Sequence, residues 1–238
     1  MQPISRRNLL HAAGAVPLLA AANAATAVPA PAAETTSNSS AFDYQHVPQP
    51  LPFKVDGLNG FSGRLMQSHW ENNYGGAVKA LNAVRARLHT ALQDAELPPY
   101  VYNGLKREHL MRTGSVILHE YYFGNLGGDG KPSAATRTHL GKSFGSFDTW
   151  EAEFRRIALG LGGSSGWVML GFNPPLRLLE NYWMADHATA PAGVVPVLVL
   201  DLYEHSYQMD FGAATTKYVD AFFSNIQWDA VESRLTRV

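Results

Sequence analysis

The sequence predicts an α+β protein with an N-terminal helical hairpin domain and a C-terminal domain in which helices flank a three-stranded antiparallel sheet. Apolar residues recur every three or four positions over residues 61–123, which is typical of amphipathic helices. After a glycine-rich break come a further helical segment and three short apolar runs rich in strand-forming residues. This order, helices first and a short sheet second, favours an α+β fold. With 238 residues and a hydrophobic fraction of 46%, the chain can bury a substantial core.

The first 27 residues have the features of an export signal. The pair Arg6-Arg7 precedes an apolar stretch over residues 9–22, and alanine-rich cleavage sites follow up to Ala27. Paired arginines in this setting indicate the twin-arginine route, so we expect a periplasmic or otherwise exported protein. The apolar stretch is shorter than the roughly 20 residues of a membrane-spanning helix, so no membrane attachment is expected after cleavage. Residues 28–42, rich in Ala, Pro, Thr and Ser, are predicted to be a disordered linker.

Residues 43–126 are predicted to form the helical hairpin domain. One long helix begins near Phe61, can bend at Gly75-Gly76 and ends before Pro98-Pro99, because proline cannot continue a helix. A second helix is expected from about Leu105 to Phe123. The positions that share one face of the first helix are Leu65, His69, Asn73, Ala77, Leu81, Val84, Leu88 and Leu92.

Residues 127–238 are predicted to form the C-terminal domain. The glycine-rich segment 127–132 breaks the helical pattern, and a helix follows from about Ser146 to Leu161. A helical tail is expected from about Thr215 to the end of the chain. The predicted strands are 167–172, 176–184 and 194–202.

The charge balance and the absence of cysteine narrow the classes of function. Nineteen basic and 20 acidic residues give a formal net charge of −1, so neither nucleic acid nor an acidic membrane surface is an expected partner. Because the chain contains no cysteine, disulfides, thiolate metal sites and cysteine nucleophiles are excluded. Any metal ion would have to be held by histidine and carboxylate side chains.

Five residues have surroundings that suggest chemistry. His69 lies on the apolar face of the first helix, His119 lies among apolar residues of the second, and His187 and His205 lie beside predicted strands. Each histidine alone is better explained as a hydrogen-bonded core residue. Asp201 ends an apolar strand, where a carboxylate has to be paired or coordinated to offset its desolvation. Together these residues favour a metal site. The other histidines lie in polar, terminal or signal segments, where a solvated side chain is the expected state.

Residues 201–207, Asp-Leu-Tyr-Glu-His-Ser-Tyr, resemble the Asp-x-Trp-Glu-His-x-Tyr signature of iron/manganese superoxide dismutases. The resemblance extends over about residues 50–236. Further similar segments occur in the family's order: Leu51-Pro52-Phe53, Phe144-Gly145-Ser146-Phe147, Gly163-Ser164-Ser165-Gly166-Trp167 and Ile226-Gln227-Trp228.

The resemblance implies a metal site with four protein ligands, His69, His119, Asp201 and His205. Three imidazoles and one carboxylate suit iron or manganese, so one such ion per chain is the expected cofactor. The implied substrate is superoxide, which is converted to dioxygen and hydrogen peroxide. Motif matching leaves iron and manganese equally open, since the choice depends on the surroundings of the ligands.

The resemblance also implies four residues that support the ligands. His187 would replace the glutamine that many members use as a hydrogen-bond donor near the metal, because Ser115, at the alternative position, is too short. Trp167 would form one wall of the pocket, and Tyr203 would stand where a tryptophan is usual. Glu204 resembles the residue that bonds the ligand histidine of a second subunit, which implies a homodimer.

The chain departs from the family at the entrance to the site. Asn73 and Ala77 stand where the family usually carries the gateway histidine and tyrosine, and Gln208 replaces an interface tyrosine. Asn73 of one subunit and Gln208 of the other could bond each other, and Tyr74 is a candidate for the missing phenol. These changes leave open a metal-retention or interaction protein with little turnover. Metal-assisted hydrolysis is the third hypothesis, although the sequence lacks a hydrolase motif such as His-Glu-x-x-His.

Overall fold

The computed structural model describes residues 40–238, so the predicted signal and most of the predicted linker lie outside the described residues. The strands are β1 (Trp167–Asn173), β2 (Leu178–Met184) and β3 (Val195–Asp201). The α-helices are α1 (Gly63–Ser68), α2 (Gly75–Leu92), α3 (Pro99–Gly124), α4 (Ala134–Phe144), α5 (Phe147–Gly160), α6 (Gln208–Phe211), α7 (Thr215–Ser224) and α8 (Trp228–Leu235). The predicted fold class is confirmed: α2 and α3 form a helical hairpin, and helices flank a three-stranded antiparallel sheet.

The first long helix contains a π-helical turn over His69–Tyr74, which lies between α1 and α2. The backbone N–H of Gly75 bonds the carbonyl of Trp70, five residues back, so this turn holds one residue more than a regular α-helical turn. The irregularity therefore precedes the expected bend at Gly75-Gly76. Tyr74, within this turn, is buried, and Ala77, Leu81, Val84 and Leu88 are buried as expected, whereas Leu92, at the end of α2, is 55% exposed.

The second helix is longer than the sequence indicated. Helix α3 begins at Pro99 instead of near Leu105, because a proline at the first helical position loses no intrahelical hydrogen bond. The Pro-Pro pair therefore ends the connection after α2 and begins α3.

Helix α4 was missed, whereas α5 agrees with the prediction. In α4 the buried residues are Thr136 and Leu140, which give too weak an apolar pattern for recognition by periodicity. Helix α5 is preceded by Ser146, whose hydroxyl accepts a hydrogen bond from the backbone N–H of Thr149 and caps the helix.

The sheet places one end of each strand beside the ligand Asp201. Strand β1 lies in the centre, antiparallel to β2 and β3, and the strand order is β2-β1-β3. Trp167, the first residue of β1, pairs with Met184 at the end of β2 and with Asp201 at the end of β3. Strand β1 is one residue longer than predicted, and β2 and β3 are each two residues shorter. Because these three ends coincide, Trp167, Asp201 and the loop after β2 meet at one edge of the sheet.

The helical tail consists of two helices, α7 and α8, with a break between them at Asn225–Gln227. Ile226 forms an isolated bridge to Leu126, so the tail is joined to the end of the hairpin. The predicted division into domains 43–126 and 127–238 stays a prediction. None of the helices within residues 40–238 combines the length and apolarity needed to cross a membrane.

Candidate metal centre

The four predicted ligands come from four different elements and converge at one point. His69 is the first residue of the π-helical turn, His119 lies in α3, Asp201 ends β3, and His205 lies in the 3₁₀ turn Glu204–Ser206. Each offers one ligand atom, and the four atoms lie within 4.8 Å of one another. We call this group the metal pocket.

The polar atoms of the metal pocket face each other without forming hydrogen bonds. Asp201 Oδ2 lies 3.2 Å from His69 Nε2, 3.3 Å from His205 Nε2 and 3.7 Å from His119 Nε2. All four atoms are buried, and none has a hydrogen-bond partner among the described residues. Four orphaned donor or acceptor atoms at one buried point would be costly unless a cation bound them.

Backbone and hydroxyl groups hold Asp201 in this orientation. Its Oδ1 accepts a hydrogen bond from the backbone N–H of Tyr203 at 2.8 Å, which leaves Oδ2 directed at the imidazoles. Its carbonyl oxygen accepts hydrogen bonds from the hydroxyls of Tyr218 at 2.5 Å and Ser206 at 3.0 Å. The sequence analysis did not identify Tyr218 or Ser206, since hydroxyl-to-backbone contacts between distant segments leave no local signal.

The imidazoles are held in the state that metal binding requires. His119 Nδ1 lies 2.7 Å from the carbonyl oxygen of Ser115, so Nδ1 carries the proton and Nε2 offers its lone pair. Burial, with a smaller effect of the neighbouring His69, lowers the pKa of His119 to about 3. Burial also lowers the pKa of His69. Both rings are therefore neutral at pH 7.

Asp201 is ionised in the same pocket. Burial alone would raise its pKa, but the electrostatic attraction of the nearby imidazoles of His205 and His69 outweighs that effect and holds the pKa well below its usual range. Neutral imidazoles beside an ionised carboxylate form a donor set for a divalent or trivalent cation. With three nitrogen atoms and one oxygen atom, the pocket fits iron or manganese.

His187, Trp167 and Tyr203 line the pocket together. Trp167 Nε1 donates a hydrogen bond to His187 Nδ1 at 3.0 Å. Because an indole nitrogen can only donate, the neutral His187 carries its proton on Nε2. The His187 ring stacks on Tyr203 with ring centroids 4.7 Å apart, and Trp167 packs edge-on against His119 at 5.1 Å. The supporting roles that the resemblance implies for these three residues stay predictions.

Two glycines allow this close packing. A Cβ atom on Gly114 of α3 would lie 1.7 Å from the backbone oxygen of His187, so only glycine lets this loop approach the helix. Gly166 has a φ of 147° and leads directly into Trp167, and a Cβ atom there would lie 2.4 Å from the carbonyl oxygen of Met184. Gly114 was not identified from the sequence, because nothing local marks the loop that packs against it.

A cavity of about 360 Å³ leads from the surface to the metal pocket, and we call it the access cavity. Its lining includes the ligands His119 and His205 together with His187, and it contains the predicted gateway positions Asn73 and Ala77. Small residues make it wide. Its lining also includes Asn72, Gly76, Ala80, Ser115 and Arg112, the last of which the sequence analysis did not identify.

Tyr74 and Gln208 lie apart from the access cavity. The Tyr74 hydroxyl donates to Glu120 Oε1 at 2.7 Å and accepts from the backbone N–H of Gln49 at 2.7 Å. Tyr74 is buried within the π-helical turn, and the expectation that it supplies the missing phenol stays a prediction. Gln208 is exposed and lines a different surface depression. The predicted bridge between Asn73 and Gln208 joins two subunits and stays a prediction.

Glu204 is exposed on the same outer surface as Gln208. It lines a shallow depression with Ser164, Ser165 and His205, so one edge of the ligand His205 reaches the surface beside it. The side chain of His205 is 26% exposed, in contrast with the fully buried His69.

Comparison with known proteins agrees with this geometry. Residues 132–234 match the family described as iron/manganese superoxide dismutases, C-terminal domain. The iron superoxide dismutase of Cupriavidus metallidurans is 50% identical over 186 residues, which cover 78% of this chain and 94% of that protein. The iron superoxide dismutase of Aquifex aeolicus is 32% identical over 191 residues, covering 77% of this chain and 88% of that protein.

A manganese enzyme is also similar. The manganese superoxide dismutase of Mycolicibacterium smegmatis is 30% identical over 177 residues, which cover 73% of this chain and 84% of that protein. Both metals therefore occur among the relatives, as the donor set of the pocket allows. On these matches and on its buried pocket of three histidines and one aspartate, this chain belongs to the iron/manganese superoxide dismutase family.

Proposed function

We propose that this protein is a superoxide dismutase that uses one iron or manganese ion held by His69, His119, Asp201 and His205. The observation that carries the proposal is the convergence of four buried ligand atoms that have no hydrogen-bond partner within residues 40–238. Either ion, when bound, would supply one-electron redox chemistry. In that chemistry one superoxide is oxidised to dioxygen and the next is reduced to hydrogen peroxide. The overall reaction consumes two superoxide ions and two protons.

The chain contributes binding, exclusion of water and a positioned proton. Three of the four ligands, His69, His119 and Asp201, are buried. The metal pocket opens to solvent through the access cavity and along the exposed edge of His205. His187 holds a proton on Nε2, because its Nδ1 accepts from Trp167. Burial lowers the pKa of His187, so the ring is a neutral hydrogen-bond donor at pH 7. A neutral donor near the ligands is suited to tuning the potential of the site.

Metal analysis combined with a dismutase assay tests this function. The purified protein should contain close to one iron or manganese ion per chain and should dismutate superoxide, and removal of the metal by a chelator should abolish activity reversibly. A fully metallated protein without dismutase activity would favour metal retention, the alternative that the altered entrance suggests. A protein that binds neither metal would overturn the proposal.

The enzyme is further proposed to be a homodimer in which Glu204 bonds the ligand His205 of the other subunit. The exposure of Glu204 beside the surface edge of His205 supports this arrangement. Replacing Glu204 by alanine should weaken the dimer and lower the metal content together, as sedimentation and metal analysis would measure. Glu71→Ala is a control, since Glu71 is an exposed carboxylate that bonds Gln67 within its own helix. A Glu204→Ala variant that dimerises and retains metal would contradict this role.

Export by the twin-arginine route is likewise a proposal. It is supported by Arg6-Arg7, the short apolar stretch and the alanine-rich cleavage sites that follow. Because this route carries folded proteins, the metal can be inserted before export. Lysine at both arginine positions should retain the protein in the cytoplasm, as cell fractionation would detect, and undiminished export of that variant would exclude the route.

A further inference from the structure

The access cavity has an uneven distribution of charge. Of the described residues that line it, Arg112 is the one lysine or arginine, and none is a carboxylate. Arg112 is therefore the one side chain among these lining residues that carries a permanent charge.

Arg112 lies on the face of α3 that leads to the metal pocket. Arg112, Ser115 and His119 are spaced by three and four residues, so they follow one another along one side of the helix. The side chain of Arg112 is 37% exposed, which places it between solvent and the buried ligand.

The guanidinium group retains free donors. Its Nε donates to Glu108 Oε1 at 2.6 Å, and its two terminal nitrogens donate no hydrogen bond within residues 40–238. A surface pair of this kind, four residues apart on a helix, contributes little to stability. Attraction of an anion, in contrast, would use both the charge of Arg112 and its free terminal nitrogens.

We propose that Arg112 draws small anions, superoxide among them, through the access cavity to the metal pocket. Superoxide as the anion rests on the proposed dismutase function, whereas the assignment to Arg112 rests on the geometry of the access cavity. Ala77 and Gly76 leave the cavity wide, and a wide opening confines an approaching anion less than a narrow one. A fixed positive charge on the wall compensates by raising the local concentration of anions.

The test compares metal-loaded variants that differ in one charge. Arg112→Gln should lower kcat/KM for superoxide about fivefold to tenfold at low ionic strength while leaving kcat nearly unchanged, since a steering charge acts on the encounter. In ~0.2 M salt, where the Debye length is below about 8 Å, the deficit should shrink to less than about twofold. Arg112→Lys should retain most of the activity. Arg107→Gln is the matched control, because Arg107 is exposed on the same helix outside the cavity lining.

Glu108→Gln provides a change in the opposite direction. It removes the carboxylate that pairs with Arg112, so kcat/KM at low ionic strength should rise, by about twofold. An Arg112→Gln enzyme with the wild-type rate and the wild-type dependence on salt would overturn the proposal. So would an Arg107→Gln enzyme with the same loss as Arg112→Gln, because the effect would then be one of net charge.

Azide binding separates this proposal from the proposed function. Azide, a small anion, can be titrated spectroscopically against the metal-loaded protein without turnover. Arg112→Gln should weaken azide binding about threefold to tenfold, and Arg112→Lys and Arg107→Gln should not. If the wild type lacked dismutase activity but showed this pattern, the dismutase proposal would fail and the role of Arg112 would stand. Equal azide affinity in all variants would exclude that role even in an active enzyme.

Discussion

The metal pocket and the access cavity differ in how firmly the surrounding structure holds their side chains. In the pocket, His69, His119 and Asp201 are at most 1% exposed, and hydrogen bonds orient Asp201 and the ring of His119. In the cavity, small residues such as Ala77 surround open space, and Arg112 is half-exposed with one partner. Only a few residue types can bind a particular class of metal ion, so the residues of the pocket are restricted. Many different sets of lining residues can admit a small anion, so the residues of the cavity are less restricted.

This difference fits the departures from the family that the sequence resemblance predicts. The predicted gateway positions Asn73 and Ala77 line the cavity, and the four predicted ligands lie together beneath them. A ligand change leaves buried, uncompensated polar atoms, but an entrance change exposes only solvated or small groups. The entrance can therefore diverge while the chemistry of the pocket is retained.

The largest expected effect comes from removing a pocket ligand. Asp201→Ala deletes the one anionic ligand, so metal affinity should fall by more than the roughly 100-fold that loss of an outer hydrogen-bond partner costs. Asn73→Ala, at the entrance, should leave the metal content unchanged. Metal analysis after dialysis measures both. Equal metal loss in the two variants would break the distinction between pocket and cavity.

An intermediate effect is expected where α3 packs against the loop that carries His187. In Gly114→Ala the new Cβ atom would overlap the His187 carbonyl oxygen, so the loop must move and stability should fall by about 1–3 kcal/mol. Gly104→Ala on the same helix meets nothing within 4 Å and should instead gain about 0.5–1 kcal/mol.

The Gly114→Ala variant should also shift the midpoint potential of the bound metal, because His187 would be displaced. Thermal unfolding and redox titration of both variants measure these effects. A Gly114→Ala protein as stable as Gly104→Ala, with an unchanged potential, would show that the contact between helix and loop has no importance.

A smaller effect is expected from the indole that orients His187. Trp167→Phe removes the donor to His187 Nδ1 and so releases its tautomer, at a cost of about 0.5–1.5 kcal/mol for one hydrogen bond. Activity should change with pH differently from the wild type, and metal content should be retained. Trp150→Phe is the matched control, since Trp150 is equally buried and its indole bonds Asn181, which is neither a ligand nor part of the cavity lining. Identical pH profiles in both variants would exclude this role of Trp167.

The sequence predicted residues whose role requires a particular chemical group. His69, His119, Asp201 and His205 could be identified because a metal site needs those side chains, and the structure brings them together. The three strands were predicted within two residues, since their apolar runs are short and bounded by turns.

Features that depend on contacts between distant segments escaped prediction. Arg112 has the appearance of an ordinary charge on a helix surface, and only its spacing of three and seven residues from Ser115 and His119 could have indicated its place. The burial of Tyr74 depends on a π-helical turn, which apolar periodicity does not show. Gly114 acquires its role from a loop more than 70 residues later in the chain.

The π-helical turn makes the length of the first helix as important as its composition. Each residue of a regular helix advances the chain by about 100° around the axis, so the extra residue in His69–Tyr74 sets the angle between the segments on either side. Loss of a single codon between Trp70 and Asn73 would allow a regular α-helix. His69 and the buried Leu65 and Met66 would then be turned away from the partners they face. A one-residue deletion, which would be mild in an exposed loop, would here remove a ligand that the chain still encodes.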